Sequence, residues 1–251
     1  KRRGGVSRVG ILLCGLMLVA ACHEDRQSAS TRNFLFQQLP AAQTGVDFSN
    51  LVTDTREFNI FKYRNFYNGA GVAIGDINND GRPDIFFTSN QHENKLYINQ
   101  GNWKFKDVTT AAGLISAHRW HTGVTMADVN GDGWLDIYVC NSGDIPGDDR
   151  SNELYINQQN GTFREEAHAY GLDDRGKGTQ AVFFDYDHDG DLDCFVLNNS
   201  NRSIESFGYN PFQRNTRDPV NGDRLYRNDH GKFTDVSAAA GLFGSEIGFG
   251  Q

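Results

Sequence analysis

Short apolar segments, each bounded by turn-forming residues, follow one another along residues 71–242. They come in pairs around a nine-residue polar stretch: segments 71–75, 123–127 and 180–184 precede it, and 85–88, 137–140 and 194–197 follow it. Apolar runs this short, rich in β-branched and aromatic residues, are typical of β-strands rather than helices. Each polar stretch is therefore predicted to form the tip of a β-hairpin.

Two further segments complete each repeat. Leu-Tyr pairs at 96–97, 154–155 and 225–226 are followed by Phe105, Phe163 and Phe233, and then by Gly-Leu at 113–114, 171–172 and 241–242. Four short strands in a repeat of about 40–60 residues indicate the blades of a β-propeller. We therefore expect an all-β fold of four-stranded antiparallel blades. The blades are placed near 68–114, 120–172 and 178–242, with a further blade starting at 245.

The polar stretches repeat one arrangement of oxygen-bearing side chains, with Asp or Asn at positions 1, 3, 5 and 9 and glycine at position 6. The residues are Asp76, Asn78, Asp80 and Asp84; Asp128, Asn130, Asp132 and Asp136; and Asp185, Asp187, Asp189 and Asp193. Ca²⁺ takes six to eight oxygens at roughly 2.3–2.6 Å, so a tight loop has to turn several side chains onto one point. We predict three Ca²⁺ sites, each completed by the backbone carbonyl of position 7, which is Arg82, Trp134 or Asp191.

Two alternatives to these calcium-binding hairpin loops are ordinary hairpin turns and EF-hands. Asp, Asn and Gly also form ordinary hairpin turns, but no turn requires the Asp at position 9. An EF-hand needs Glu at position 12 and flanking helices, whereas position 12 here is Phe87, Val139 or Val196. The third loop offers four ligand carboxylates and the others three each, so we expect it to bind Ca²⁺ most tightly if charge decides the affinity.

These hairpins, followed by Leu-Tyr and then by Gly and Phe, resemble the FG-GAP/VCBS repeats that build integrin-α-type β-propellers. The wider pattern, which includes residues 44–48 and 68–72, is similar to FG-GAP-like lipoproteins of Bacteroidota, which often carry a C-terminal ASPIC/UnbV domain. The resemblance covers roughly residues 44–251. It implies calcium in all three loops and carries over no catalytic residue.

Three blades cannot close a ring, since propellers have about four to eight. The sequence also begins with Lys1 rather than Met, and it contains no ASPIC/UnbV segment. We therefore expect the sequence to be a fragment cut at both ends.

The amino terminus has the pattern of a lipoprotein signal peptide. Four basic residues in the first eight positions precede an apolar run at 9–21, which is too short to span a bilayer. Residues 18–22 resemble a bacterial lipobox, which would make Cys22 the acylated first residue of the mature protein; an ordinary secreted protein with a coincidental cysteine is the alternative. The expected organisation is a signal peptide (1–21), a tether (22–43) and the propeller (44–251). The location would be the bacterial outer membrane, on either its periplasmic or its external side.

Charge, cysteine content and the aromatic residues before the first repeat each add one expectation. Without residues 1–21 the chain has 20 basic and 32 acidic residues, a formal net charge of −12, which argues against nucleic acid as a partner because its binding proteins need a basic face. Cys140 and Cys194 are interpreted as buried free thiols, with a disulfide between neighbouring blades left open. The aromatic segment 44–70 is too apolar for a linker and is expected to supply a strand or a lid.

The connections between the second and third strands point to a partner surface. They run over 90–94, 141–152 and 198–223, on the end of the blades opposite the calcium loops. Connections much longer than five residues are usually functional or disordered. Candidate contacts to a glycan, peptide or protein are Arg119, Trp120, His121, Tyr209, Phe212 and Arg214. Inter-blade packing is the alternative for Trp120.

No catalytic motif is recognisable, and the loop pattern accounts for most of the aspartates. The main hypothesis is a non-enzymatic binding module, a calcium-stabilised propeller on a lipid-anchored envelope protein. One alternative is the propeller part of a polysaccharide lyase or hydrolase. Another is an accessory subunit of an outer-membrane uptake complex.

Overall fold

The computed structural model describes residues 35–116, 120–199 and 219–242. Contacts divide the chain into two units, Lys1–Leu39 and Pro40–Gln251, and every described strand belongs to the second. Within the described ranges no helix has the length and apolar character needed to cross a membrane. The predicted signal peptide, Cys22, Arg119, the segment with Tyr209, Phe212 and Arg214, and the blade expected from 245 lie outside these ranges.

The described residues of the second unit form three four-stranded antiparallel sheets, each with its strands in chain order. The first consists of β1 (Val72–Gly75), β2 (Asp84–Phe87), β3 (Lys95–Asn99) and β4 (Phe105–Asp107). The second consists of β5 (His121–Ala127), β6 (Asp136–Asn141), β7 (Glu153–Asn157) and β8 (Phe163–Glu165). The third consists of β9 (Gly178–Phe184), β10 (Asp193–Asn198), β11 (Arg224–Asn228) and β12 (Phe233–Asp235). The same described ranges also contain two four-residue helices, α1 (Ala41–Thr44) and α2 (Ala167–Tyr170). The predicted all-β fold of four-stranded propeller blades is confirmed.

The first hairpin of each blade has the same register. The residue before the polar loop pairs with the aspartate at position 9: Gly75 with Asp84, Ala127 with Asp136, and Phe184 with Asp193. Because side chains alternate between the two faces of a strand, a slip of one residue would turn every core side chain outward. The shared register therefore fixes both the inter-blade core and the orientation of the three loops.

Neighbouring blades pack through two hydrophobic clusters. One joins the first and second blades and includes Phe86, Leu96, Ile137 and Val139. The other joins the second and third blades and includes both cysteines, which are buried free thiols, as the sequence indicated. The inner strands approach so closely at Gly123 that a Cβ there would lie 2.3 Å from the carbonyl oxygen of Thr179. Only glycine fits this contact.

The aromatic segment before the first blade forms a lid rather than a strand. Residues 45–71 contain turns but no strand, and Phe58, Tyr63 and Phe66 pack around Trp120 with ring centroids 4.8, 5.6 and 5.1 Å away. We call residues 52–66 the lid. Of its two predicted forms, the strand is wrong and the lid matches the structure.

Two predicted partner contacts are corrected by this packing. Trp120 and His121 are each only 1% exposed. The lid covers the indole of Trp120, and His121 Nδ1 lies 2.7 Å from Asn141 Oδ1 in a buried polar cluster with Glu153. Neither side chain is accessible to a partner in this structure, and Trp120 belongs to the core between the lid and the second blade.

Candidate metal centres and the opposite face

The three polar loops share one hydrogen-bond scaffold. In the second loop the backbone N–H of Asp132 donates to Asp128 Oδ1 and to Asn130 Oδ1, both at 3.0 Å, and the N–H of Gly133 donates to Asp128 Oδ2 at 2.8 Å. The first loop repeats these three bonds. In the third loop, Asp185 accepts from the N–H groups of positions 4, 5 and 6. The side chain of position 1 is therefore turned into each loop.

Left-handed backbone at two positions makes this tight coil. The glycines at position 6 have φ values of 82, 86 and 97°, and position 4, occupied by Asn79, Gly131 and His188, has φ values of 55, 73 and 65°. A Cβ at Gly81, Gly133 or Gly190 would meet nothing within 4 Å. Glycine is therefore needed there for its backbone conformation and not for space. The special conformation of position 4 was missed in the sequence because three different residues occupy it.

The aspartate at position 9 links its loop to the rest of the blade. Asp84, Asp136 and Asp193 are fully buried, and each accepts two backbone N–H bonds. For Asp136 the donors are Val129 in its own loop, at 3.1 Å, and Asn157 on the third strand, at 2.8 Å. The same pairs recur in the other two blades. This role explains why an aspartate that no turn requires is present in all three loops.

The loops are unfavourable places for unneutralised carboxylates. Burial, together with the nearby carboxylates of Asp132 and Asp128, raises the pKa of Asp136 to about 7, although two backbone hydrogen bonds act in the opposite direction. Burial raises the pKa of Asp84 for the same reasons, with Asp80 and Asp76 as the neighbouring charges. A cation at the centre of the loop would favour the ionised forms.

The third loop has the richest set of acidic ligands. Oxygen atoms of Asp185, Asp187 and Asp193 all lie within 4.8 Å of one another. In the first two loops position 3 is Asn78 or Asn130, whose amide oxygen is a neutral ligand. The guanidinium of Arg82 also forms an ion pair with Asp80 and so neutralises part of the first loop. The converging oxygens fit a hard cation that prefers oxygen ligands, such as Ca²⁺, and they fit it best in the third loop.

Asparagine side chains connect successive loops across the blade boundary. Asn157, at the end of β7, donates through Nδ2 to the carbonyl oxygen of Ile77 in the first loop, at 2.8 Å, and to that of Leu135 in the second, at 3.1 Å. Asn228 makes the equivalent bonds to Val129 and Leu192, at 3.4 and 3.0 Å. Asn79 adds a bond to the carbonyl oxygen of Gly133, at 3.0 Å. The loops therefore form one connected layer at this end of the blades.

Replacing Asn157 with Ala is expected to destabilise the protein by about 1–3 kcal/mol, because two carbonyls lose their donor in a buried setting. The matched control is Asn99→Ala, since Asn99 Nδ2 donates to the carbonyl oxygen of Pro83 within its own blade. Urea unfolding followed by circular dichroism measures both variants. A loss for Asn157→Ala no greater than that for Asn99→Ala would contradict the role of Asn157 between blades.

The opposite end of the blades is less regular. It carries the connections 88–94 and 142–152, Leu51 and the lid, and we call this surface the loop face. The lid is held to it by the hydroxyl of Tyr63, 2.8 Å from Ser142 Oγ, and by Lys177 Nζ, 5.5 Å from the Tyr63 ring centroid. Lys177 and Arg150 both pair with Asp144, at 2.6 and 2.7 Å. Exposed apolar side chains remain at Leu51 and Phe61, which are 63 and 93% exposed.

Among the cavities at this end of the described residues, two differ clearly in the charge of their lining. The larger, of about 940 Å³, is lined by Asp47, Glu93, Asp107 and Lys95 among others. The smaller, of about 300 Å³, lies where the inner strands begin and is lined by residues of the lid end, β5 and β9. Neither cavity was predicted, because each is formed by segments far apart in sequence.

Comparison with known proteins identifies the repeats. A model of the FG-GAP-like repeat matches residues 76–139 and 142–196. The matched ranges contain all three acidic loops. The predicted FG-GAP repeat is thereby confirmed.

Curated relatives share parts of this region. Cartilage acidic protein 1 is 40% identical in Mus musculus and 37% in Homo sapiens over 73 residues, which are 29% of this chain and 11% of the relative. Integrin alpha-8 of Gallus gallus is 31% identical over 104 residues, which are 36% of this chain and 10% of the relative. The matched part of the chain spans about a tenth of the length of these relatives.

One solved structure is similar at low identity. It is described as the structural basis of specific recognition of non-reducing terminal N-acetylglucosamine by an Agrocybe aegerita lection. The match has 19% identity and a TM-score of 0.36, and it covers 65% of this chain and 36% of the other. A TM-score this low adds nothing to the assignment of fold or ligand.

Proposed function

We propose that the FG-GAP-like repeats form a calcium-stabilised β-propeller that acts as a binding module without catalytic activity. In this proposal Ca²⁺ occupies the three acidic loops, and the loop face contacts a glycan, peptide or protein. The residues that would hold the cations are the side chains at positions 1, 3, 5 and 9 of each loop, with the backbone carbonyl of position 7. Bound Ca²⁺ would offset the repulsion among these carboxylates and so favour folding.

The observation that supports this proposal most strongly is the difference in structure between the two ends of the blades. At one end the three loops repeat the same hydrogen bonds and are connected through Asn157 and Asn228, as expected of a structural layer. At the other end the connections differ from blade to blade, as expected of a surface adapted to one partner.

Binding to immobilised glycans and peptides in the presence of Ca²⁺ tests this assignment. Leu51→Asp and Phe61→Asp place charges on exposed side chains of the loop face and are expected to reduce binding at least tenfold. Trp103→Asp is the matched control, because Trp103 is an exposed aromatic residue in the β3–β4 connection, at the end of the blades that carries the acidic loops. The proposal would be contradicted if Trp103→Asp reduced binding as much as Leu51→Asp and Phe61→Asp, or if the unaltered protein bound no immobilised glycan or peptide. Release of a cleaved polysaccharide would favour the enzyme alternative.

A lipid anchor at Cys22 is the second part of the proposal. The basic residues followed by the apolar run 9–21 and Cys22 support it, and several acyl chains together would hold the protein at the outer membrane. In a lipoprotein-processing bacterial host, the protein is expected to label with a fatty-acid analogue and to fractionate with membranes. Cys22→Ser is expected to abolish both, whereas Cys14→Ser should change neither. Labelling of the Cys22→Ser protein would contradict the anchor.

A further inference from the structure

The smaller cavity of the loop face lies at the ends of the inner strands. Its walls come from the residues just before β1, from the beginnings of β5 and β9, and from the end of β10. The acidic loops follow the opposite ends of β1, β5 and β9, so this cavity is separated from the candidate metal centres by the length of the inner strands. Its volume of about 300 Å³ is at the lower end of the range of small-ligand sites, roughly 300–1,000 Å³.

The lining of this cavity is polar but uncharged. None of the described residues that line it is acidic or basic; they include Asn65, Asn68, Thr179, Gln180 and Asn199. An amide side chain offers both donors and an acceptor, which suits ligands whose hydroxyls also act as both. The larger cavity differs, since Asp47, Glu93 and Asp107 line it with Lys95. An ionic ligand would therefore find no partner charge among the described residues that line the smaller cavity.

Some of the lining polar groups are used within the fold and others are not. The Thr179 hydroxyl donates to the carbonyl oxygen of Leu197 at 2.9 Å. The exposed side chain of Asn68 makes no hydrogen bond within the described part of the chain, and the Nε2 of Gln180 makes only a long contact of 3.4 Å to Thr125 Oγ1. Asn68 and Gln180 come from different blades and line the same cavity, so they can contact one ligand together.

One aromatic side chain is among the lining residues. Tyr63 is only 3% exposed, its ring packs against Trp120, and its hydroxyl is held 2.8 Å from Ser142 Oγ. The amide side chains are therefore the groups of this cavity that can contact a ligand. Sugar hydroxyls both donate and accept hydrogen bonds, so they suit such amides.

We propose that this cavity binds an uncharged sugar of one or two hexose units, with Asn68 and Gln180 as its hydrogen-bonding contacts. The inference rests on the proposed function, for which it names the ligand class and the place on the loop face. A peptide would need backbone contacts along an extended groove, and an anionic sugar would need a cationic partner, which the described lining lacks.

Titration of the full chain with neutral hexoses, N-acetylhexosamines and glucuronate tests the proposal, using saturation-transfer NMR and calorimetry. At least one neutral sugar is expected to bind, and glucuronate more weakly than its neutral counterpart glucose. The Asn68→Ala/Gln180→Ala double variant should bind that sugar at least tenfold more weakly. Gln100→Ala, which removes an exposed amide at the end of the blades that carries the acidic loops, should bind the sugar as tightly as the unaltered protein. Both substituted side chains of the double variant are exposed, so its melting temperature should equal that of the unaltered protein.

The outcomes separate this inference from the broader function. No neutral sugar binding, or equal affinity of the double variant, would overturn the inference. If array binding through Leu51 and Phe61 persisted in either case, the binding-module proposal would stand without the sugar site. Loss of binding to every array surface would overturn both.

Discussion

Chelation of Ca²⁺ with EGTA is expected to lower the melting temperature of the protein by roughly 15–30 °C. A site held at 100 times its dissociation constant stabilises the folded state by about 2.7 kcal/mol, so three sites would supply about 8 kcal/mol. For a chain of this size, 1 kcal/mol corresponds to about 2–4 °C. The physical cause is the crowding of carboxylates around Asp84, Asp136 and Asp193, which are fully buried. Differential scanning fluorimetry with and without added Ca²⁺ measures the shift, and an unchanged melting curve in excess EGTA would contradict the calcium proposal.

Paired substitutions refine this expectation loop by loop. Asp185→Ala with Asp189→Ala is expected to remove more of the Ca²⁺-dependent shift than Asp76→Ala with Asp80→Ala. The third loop has four ligand carboxylates, whereas Arg82 already pairs with Asp80 in the first. Mg²⁺ at the same concentration is the matched ion control, because it demands a smaller and more rigid octahedral site. Equal losses for the two pairs would refute the ranking by charge.

The strands and the acidic loops could be predicted from sequence because their signals are local. A hairpin needs alternating apolar residues on both sides of a turn, and both lie within about 20 residues of each other here. The glycine at position 6 also indicates the backbone conformation of the loop, because glycine readily adopts the left-handed conformation found there. Three repeated copies made this local pattern specific.

The second blade shows why some structural roles escape sequence reasoning. In the first and third blades a hydroxyl, that of Thr109 or Ser237, accepts the backbone N–H of Leu96 or Leu225. The second blade has Ala167 at the equivalent position, so it has no hydroxyl to accept this N–H. Its longer Glu165 carboxylate accepts the N–H of Leu154 instead, at 3.2 Å. The backbone N–H of the third strand is therefore satisfied in all three blades, but by a different side chain in the second. Comparison of the repeats in sequence does not show this.

Contacts between distant segments were the other source of error. Trp120 was predicted as a partner contact because it directly precedes the inner strand of the second blade, but its environment is decided by the lid more than 50 residues earlier. The bond from Asn157 to Ile77 spans 80 residues and likewise has no local signal. The two cavities described on the loop face depend on such packing, so the sequence predicted a partner face but not the residues of the proposed ligand site.

Replacing Trp120 with Ala is expected to destabilise the protein by about 3–5 kcal/mol, the usual range when a large buried aromatic side chain is removed. The indole is 1% exposed and touches Phe58, Tyr63 and Phe66. Its loss would leave a cavity beneath the lid, since Gly143 on the other side offers no side chain to fill it. Urea unfolding followed by far-UV circular dichroism, with Ca²⁺ present throughout, gives the change in free energy.

Trp103→Ala is the matched control for this prediction, because Trp103 is 67% exposed and its removal should change stability by less than about 0.5 kcal/mol. A core role also predicts that Trp120→Phe, which keeps an aromatic ring under the lid, recovers part of the lost stability. If Trp120→Ala instead unfolded like the unaltered protein but failed to bind a partner, the indole would be a partner contact, and the lid would have to move to expose it. That outcome would restore the interpretation drawn from sequence and contradict the packing described above.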